Sequence, residues 1–204
     1  MTDRWTRLAP LTGVIGVVLA VIAGIVAGDT PDADAAAAEV VAFYTDEDSA
    51  QIAVSILFAY AGLFLVFFAG ALGVALRRGE AHGGLSALAL AGGVIAALGM
   101  LIFAGLNFTL ADTADSLDPA AAQALNALNE DFFFPLVIGL ATLFLASGIA
   151  IVRGAALPAW LGWVAIVIGI VALSPAAFIG LFLGGIWILV VSIWLAARPV
   201  AGQP

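Results

Sequence analysis

Cysteine and lysine are missing altogether from the 204 residues, and histidine occurs once. Without cysteine there are no disulfides, thiolate nucleophiles or cysteine metal sites. The lone His82 sits in a short arginine-flanked loop, where it reads as an exposed residue with no second metal ligand. Charge is scarce as well. Only 10% of residues are charged and 64% are hydrophobic, whereas soluble domains run near about 25% and about 45–50%. A soluble fold of this size cannot hide so much apolar surface, so the surplus faces lipid. With a net charge of −8, nucleic acid is not expected as a partner.

What the chain does have is long apolar runs. A membrane-crossing helix needs about 20 such residues, and spans are expected at 8–28, 52–76, 83–111 and 132–152. Residues 154–197 carry no charge and are too long for one crossing. Ser174-Pro175 breaks them into 157–173 and 176–197, because proline removes a donor and clashes with the preceding turn. The fold class is therefore all-α, a polytopic bundle of six transmembrane helices forming one domain over residues 1–204. Arg4 and Arg7 before an apolar run resemble a signal peptide, but the run exceeds a usual h-region.

Arginine placement gives the orientation. Arg4, Arg7, Arg77, Arg78, Arg153 and Arg198 all fall on one side of a six-span chain, together with Asp3 and Glu80 out of 14 acidic residues. The remaining 12 lie in the loops 29–49 and 112–131, on the other side. Both termini are thus expected in the cytoplasm and the chain in the plasma membrane. Trp5, Trp160, Trp163 and Trp194 would form the inner aromatic belt, and Phe43, Tyr44 and Phe132 to Phe134 the outer one.

Each outer loop reads as a short extracytoplasmic cap helix. Thr30-Pro31 resembles an N-cap followed by a first-turn proline, with a helix over 35–44; Asp48 and Gln51 suit a capping box for the second span. Asp118-Pro119 repeats the device, with Leu125, Leu128 and Phe132 on one face at helical spacing and Pro135 kinking the junction with the fourth span. Asp46, Glu47, Asp48, Asp112, Asp115 and Asp118 would attract cations to this cap. Two readings of the Asp46–Asp48 cluster stand: oxygen ligands for a hard cation, or a solvated acidic face. Its spacing is not that of a calcium loop, and no metal or cofactor site is assigned.

No Asp, Glu, Arg or His falls within the core of any span, although such residues mark proton relays and ion pathways. Asn107 and Thr109, near the outer end of the third span, are the candidates for lining a cavity or pore; an interhelical hydrogen bond is the alternative. Glycines recur at Gly24 and Gly28, at Gly180 and Gly184, and at Gly92, Gly99 and Gly105. Such spacing allows close helix approach, within one chain or between chains.

The segments Glu39-Val-Val-Ala-Phe-Tyr-Thr45, Leu117-Asp-Pro-Ala-Ala-Ala-Gln-Ala-Leu-Asn126 and Leu157-Pro-Ala-Trp-Leu-Gly-Trp163, together with the six-span layout, resemble a broad group of small six-helix integral membrane proteins of high-GC actinobacteria. The resemblance covers nearly the whole chain. It implies the layout and assigns no activity to any residue.

Three function classes compete. A non-catalytic accessory, sensory or assembly module needs nothing the sequence lacks. Its partners would be membrane lipids and a membrane protein or a second copy. An oligomeric channel or facilitator for cations or small neutral solutes is the alternative. A lipid-modifying enzyme lacks acid, base, nucleophile and metal ligands, so no catalytic residue is assigned.

Overall fold

A computed structural model describes residues 8–79, 84–154 and 156–197. Among these residues the regular structure is entirely helical. A short 3-10 turn, Ala9–Leu11, leads into α1 (Thr12–Ala27). There follow α2 (Ala37–Asp46), α3 (Asp48–Arg77), α4 (Gly84–Thr113), α5 (Pro119–Asp131), α6 (Phe134–Gly154), α7 (Ala159–Ala172) and α8 (Ala177–Ala197). Five helical stretches, Ala9–Ala27, Asp48–Arg77, Gly84–Thr113, Pro119–Gly154 and Ala177–Ala197, are long and apolar enough to cross a bilayer. That is the mark of a multi-pass membrane protein. In the fourth stretch, a break at Phe132 and Phe133 separates α5 from the apolar α6. Pro135 sits in the first turn of α6, where its missing N–H costs nothing. Helix α7 has 14 residues, about 21 Å at the usual rise.

Glycine contacts reveal how the long helices run. Gly16 of α1 lies against Ala61 and Leu65 of α3, while Gly13 lies against Phe68. The two helices are therefore antiparallel. The same reasoning pairs Gly62 with Met100 and Gly73 with Ser86 (α3–α4), and Gly92 with Leu143 and Gly99 with Leu136 (α4–α6). It also pairs Gly148 with Gly162 and Gly169 with Ala141 (α6–α7), and Gly180 with Ala172 (α7–α8). Helix α8 returns to α1 through Gly13, Ile188 and Ser192. Six antiparallel helices thus close into a ring in chain order, with α6 the most enclosed. Lipophilic side chains cover the outside: Ile25 is 75% exposed and Phe178 is 86% exposed.

This alternation gathers the end of α3, the end of α6 and the start of α7 at one end of the bundle. Exposed Arg77, Arg78, Arg153, Trp160 and Trp163 share that end, with Trp194 near the close of α8. Arg4, Trp5, Arg7, Glu80, His82 and Arg198 lie outside the described residues. At the other end α2 and α5 pack on α3 and α4 around a second core of Val40, Tyr44, Leu110, Ala111, Ala114 and Ala122.

Gly92, Gly99, Gly180 and Gly184 pack within the chain, whereas Gly24, Gly28 and Gly105 face open space. At the α4–α6 crossing a Cβ on Gly139 would strike the backbone of Ala96 and stand 2.8 Å from the Gly92 carbonyl oxygen. Backbone cannot give way as a side-chain tip can. Gly139→Ala should therefore cost about 1–3 kcal/mol by overpacking, whereas Gly24→Ala should be neutral or gain up to about 1 kcal/mol of helix propensity. Unfolding of both variants in detergent micelles measures the contrast, and equal stabilities would refute this crossing.

Candidate functional site

Where α2 and α5 meet the bundle, the polar side chains that the sequence scatters over 80 residues converge in one buried knot. Its base is Gln51, one turn into α3 and 1% exposed. The Gln51 Nε2 donates to the carbonyl of Ala27, the last residue of α1, at 3.0 Å. It thereby satisfies one of the carbonyls that every helix C-terminus leaves unpaired. The expected capping box of Asp48 and Gln51 does not form. The Asp48 carboxylate accepts from the Ser49 amide and hydroxyl instead. Water can serve an exposed helix N-terminus, whereas the half-buried Ala27 carbonyl is served by Gln51.

From α4, Asn107 points into the same knot and is fully buried. Its Nδ2 lies 3.0 Å from the Gln51 carbonyl oxygen, 3.2 Å from Gln51 Oε1 and 3.1 Å from Ser55 Oγ. Ser55 passes the chain on, donating to the Gln51 carbonyl at 2.9 Å. Asn107 and Thr109, the two candidates for a pore lining, are thus separated. Asn107 spends its amide between helices, and exposed Thr109 donates to the Gly105 carbonyl of its own helix at 2.9 Å. Two residues apart on a helix, they face different directions.

The top of the knot belongs to α2 and α5. Tyr44, expected in the outer aromatic belt, is instead fully buried. Its hydroxyl lies 3.4 Å from Asn107 Oδ1 and 3.4 Å from Asn126 Oδ1. The orientations of both amides are forced. Asn107 must turn its NH₂ to the Gln51 carbonyl. Asn126 must turn its own NH₂ to the carbonyls of Pro31 at 3.2 Å and Asp32 at 3.0 Å. Both Oδ1 atoms therefore face Tyr44, which holds one proton for two acceptors at distances longer than the usual 2.7–2.8 Å or so. Burial, and next the nearby Glu130 carboxylate, push the Tyr44 hydroxyl up to about 12, so it stays a donor. The adjacent Asn129 amide works weakly the other way without making a hydrogen bond, and it is 4% exposed.

Helix α5 starts as its sequence suggests, with the Asp118 carboxylate accepting from Ala120 N at 2.9 Å ahead of Pro119. Leu128 and Phe132 are exposed, Leu125 is only partly buried, and Ala122, Asn126 and Asn129 face inward. One turn-spaced row, Gln123, Asn126 and Glu130, grips the 29–36 segment. Gln123 Nε2 donates to the Ala35 carbonyl at 2.8 Å, and the Thr30 hydroxyl donates to Glu130 Oε1 at 3.4 Å. Those contacts explain why Thr30-Pro31 starts no helix. With the carbonyls of Pro31, Asp32 and Ala35 taken by α5, the segment stays irregular, and α2 begins only at Ala37 after an extended Ala36.

The acidic residues divide sharply. Asp46, Glu47, Asp48, Asp112, Asp115 and Asp118 are all exposed, and of the 12 outer acids only Glu130 is partly buried. Among the described residues no three His, Asp or Glu side chains converge as a metal ion requires. Burial raises the Glu130 carboxyl above the ordinary 4.5; the Thr30 hydroxyl opposes this, while Asp32 and Asp131 reinforce it.

No family model, curated protein or solved structure matches the chain.

Two expectations follow from the knot. Tyr44→Phe strands two buried amide oxygens and should cost about 1–3 kcal/mol; Tyr60→Phe, at a residue 54% exposed, should cost nothing measurable. Glu130 binds its proton more tightly in the folded cap than in an open chain. Stability should therefore rise as pH falls from neutral through the raised value, the gain being complete below 4.5. Hydrogen exchange of α5 amides, corrected for intrinsic rates, reads this out. Glu130→Gln should flatten the profile, and an unchanged slope would remove Glu130 as its source.

Proposed function

We propose that this chain is a six-crossing plasma-membrane protein with both termini in the cytoplasm, working without catalysis as an accessory, sensory or assembly module. Its acidic extracytoplasmic cap, α2 and α5, is the face offered to a partner. One observation carries the reading. Tyr44, Gln51, Asn107 and Asn126 are joined in the knot that fastens α2 and α5 to the bundle, while nearly all the acids around it point away from it. Such an arrangement holds a charged surface in place.

Six crossings are supported by the antiparallel sequence of α1, α3, α4, α6, α7 and α8, and by the arginines and acids at opposite ends. Helix α7 is short for a bilayer, and local thinning of the membrane can meet such a mismatch at modest cost.

Because the chain lacks cysteine, single cysteines report its topology directly. Ala121→Cys on α5 and Pro175→Cys between α7 and α8 should react with an impermeant maleimide on intact cells. Ala197→Cys should react only after lysis. Protection of Pro175→Cys would mean that α7 does not cross, and labelling of Ala197→Cys in intact cells would reverse the orientation. Purified, folded protein in liposomes should pass neither small cations nor small neutral solutes. Measurable flux would replace this reading with the channel.

A further inference from the structure

The seam between α7 and α8 is open on the lipid-facing side. Trp187 holds the two helices apart. Its indole N–H donates to the Leu161 carbonyl at 2.9 Å, and its ring meets Phe144 edge-on at 5.5 Å. Above this spacer lies a groove of about 380 Å³, walled by Trp160, Val164 and Val167 on α7 and by Leu183, Ile186 and Val190 on α8. Every lining side chain is hydrophobic or aromatic, and no polar surface is presented. Water would find no partner there, and an unfilled groove forfeits the dispersion contacts of its walls. Hydrocarbon fits it.

Position narrows the occupant. From Trp160 to Ile168 the groove follows α7 for about 12 Å, which keeps it inside one leaflet, about half of a core some 30 Å thick. Its α7 wall begins at Trp160, in the half of the bundle that ends in Arg77, Arg78 and Arg153, all exposed. The backbones of Gly79 and Gly154 touch at that end. All the described acids are at the opposite end. A cationic end and an apolar slot in the same half of the bundle complement a negatively charged headgroup on a single tail.

We propose that the α7–α8 groove holds one acyl chain of an anionic phospholipid from the arginine-side leaflet, its phosphate facing Arg153 and its neighbours. The proposal rests on the membrane reading above, and flotation with vesicles tests that reading separately. Native mass spectra of protein released from detergent micelles should show one retained phospholipid per chain, with phosphatidylglycerol preferred over phosphatidylcholine. Arg153→Gln should reduce that preference roughly five-fold while leaving phosphatidylcholine retention unchanged. Val190→Phe fills the groove from α8 and should abolish retention of both lipids; Leu183→Phe fills it from another point on the same wall, should that variant fold poorly. Retention unaltered in the filled variants would overturn the proposal. So would a lipid-free dimer that Val190→Phe converts to monomer, because a second copy would then be the occupant. A chain that floats with vesicles yet retains no lipid would overturn it too, with the membrane reading intact.

Discussion

Close approach of backbone to backbone is the constraint on which the bundle depends. Lipid tails are as apolar as the helices, so association gains little from the hydrophobic effect and must come from packing and hydrogen bonds. Every neighbouring pair in the ring has a glycine at its contact: Gly16 for α1–α3, Gly62 for α3–α4 and Gly139 for α4–α6. Gly162 serves α6–α7, Gly180 serves α7–α8, and Gly13 closes α8 on α1. The glycines that face open space lie away from these contacts. Position, more than glycine content, is what the fold requires.

The knot follows from the same scarcity of water. Gln51, Asn107 and Asn126 are amides that donate to backbone carbonyls of neighbouring segments: at the end of α1, within α3 and in the segment before α2. Each amide both donates and accepts, so satisfying the carbonyls leaves two oxygens turned toward Tyr44. The tyrosine then has a structural reason to be buried at the cost of its hydration. A partly satisfied buried network is costly. Here the weak points are the two long tyrosine contacts and the unpartnered Asn129 amide. The polar part of the attachment of α2 and α5 is therefore specific in geometry and, at the tyrosine, long in its contacts.

Much of this was legible in the sequence. Charge-free runs located the long helices, because about 20 apolar residues have few other uses. Ser174-Pro175 marked the turn before α8, where Ser174 Oγ now accepts from Ala176 N at 3.1 Å. Asp118-Pro119 marked the start of α5. What remained hidden was which face points inward. In α5 the inward side includes Asn126, because the segment opposite presents the carbonyls of Pro31 and Asp32. Only a three-dimensional neighbour reveals such a need. Within the spans the difficulty is sharper: lipid and core look alike to a hydrophobic side chain, so periodicity carries little facing information. One polar signal was readable in retrospect, the turn-spaced row Gln123, Asn126 and Glu130 on an otherwise alanine-rich helix.

The two ends of the bundle place opposite demands on their side chains. At the end holding α2 and α5, excess negative charge repels itself, and exposed carboxylates relieve this through water and salt screening over about 8 Å. Glu130 lacks that relief. Packed under the 29–36 segment with Asp32 and Asp131 at hand, it is the one acid whose charge state feeds into how firmly α5 holds the chain below. The arginine end is packed differently. Trp187 instead spaces α7 from α8 and leaves a slot that hydrocarbon can fill. Rigidity is thus concentrated at the glycine crossings, polar adjustability at the Tyr44 knot, and accommodation of lipid at the α7–α8 seam. A displacement of α2 can reach α4 through the Tyr44–Asn107 contact and, beside it, through the apolar packing of Val40 and Tyr44 on Leu110 and Ala111.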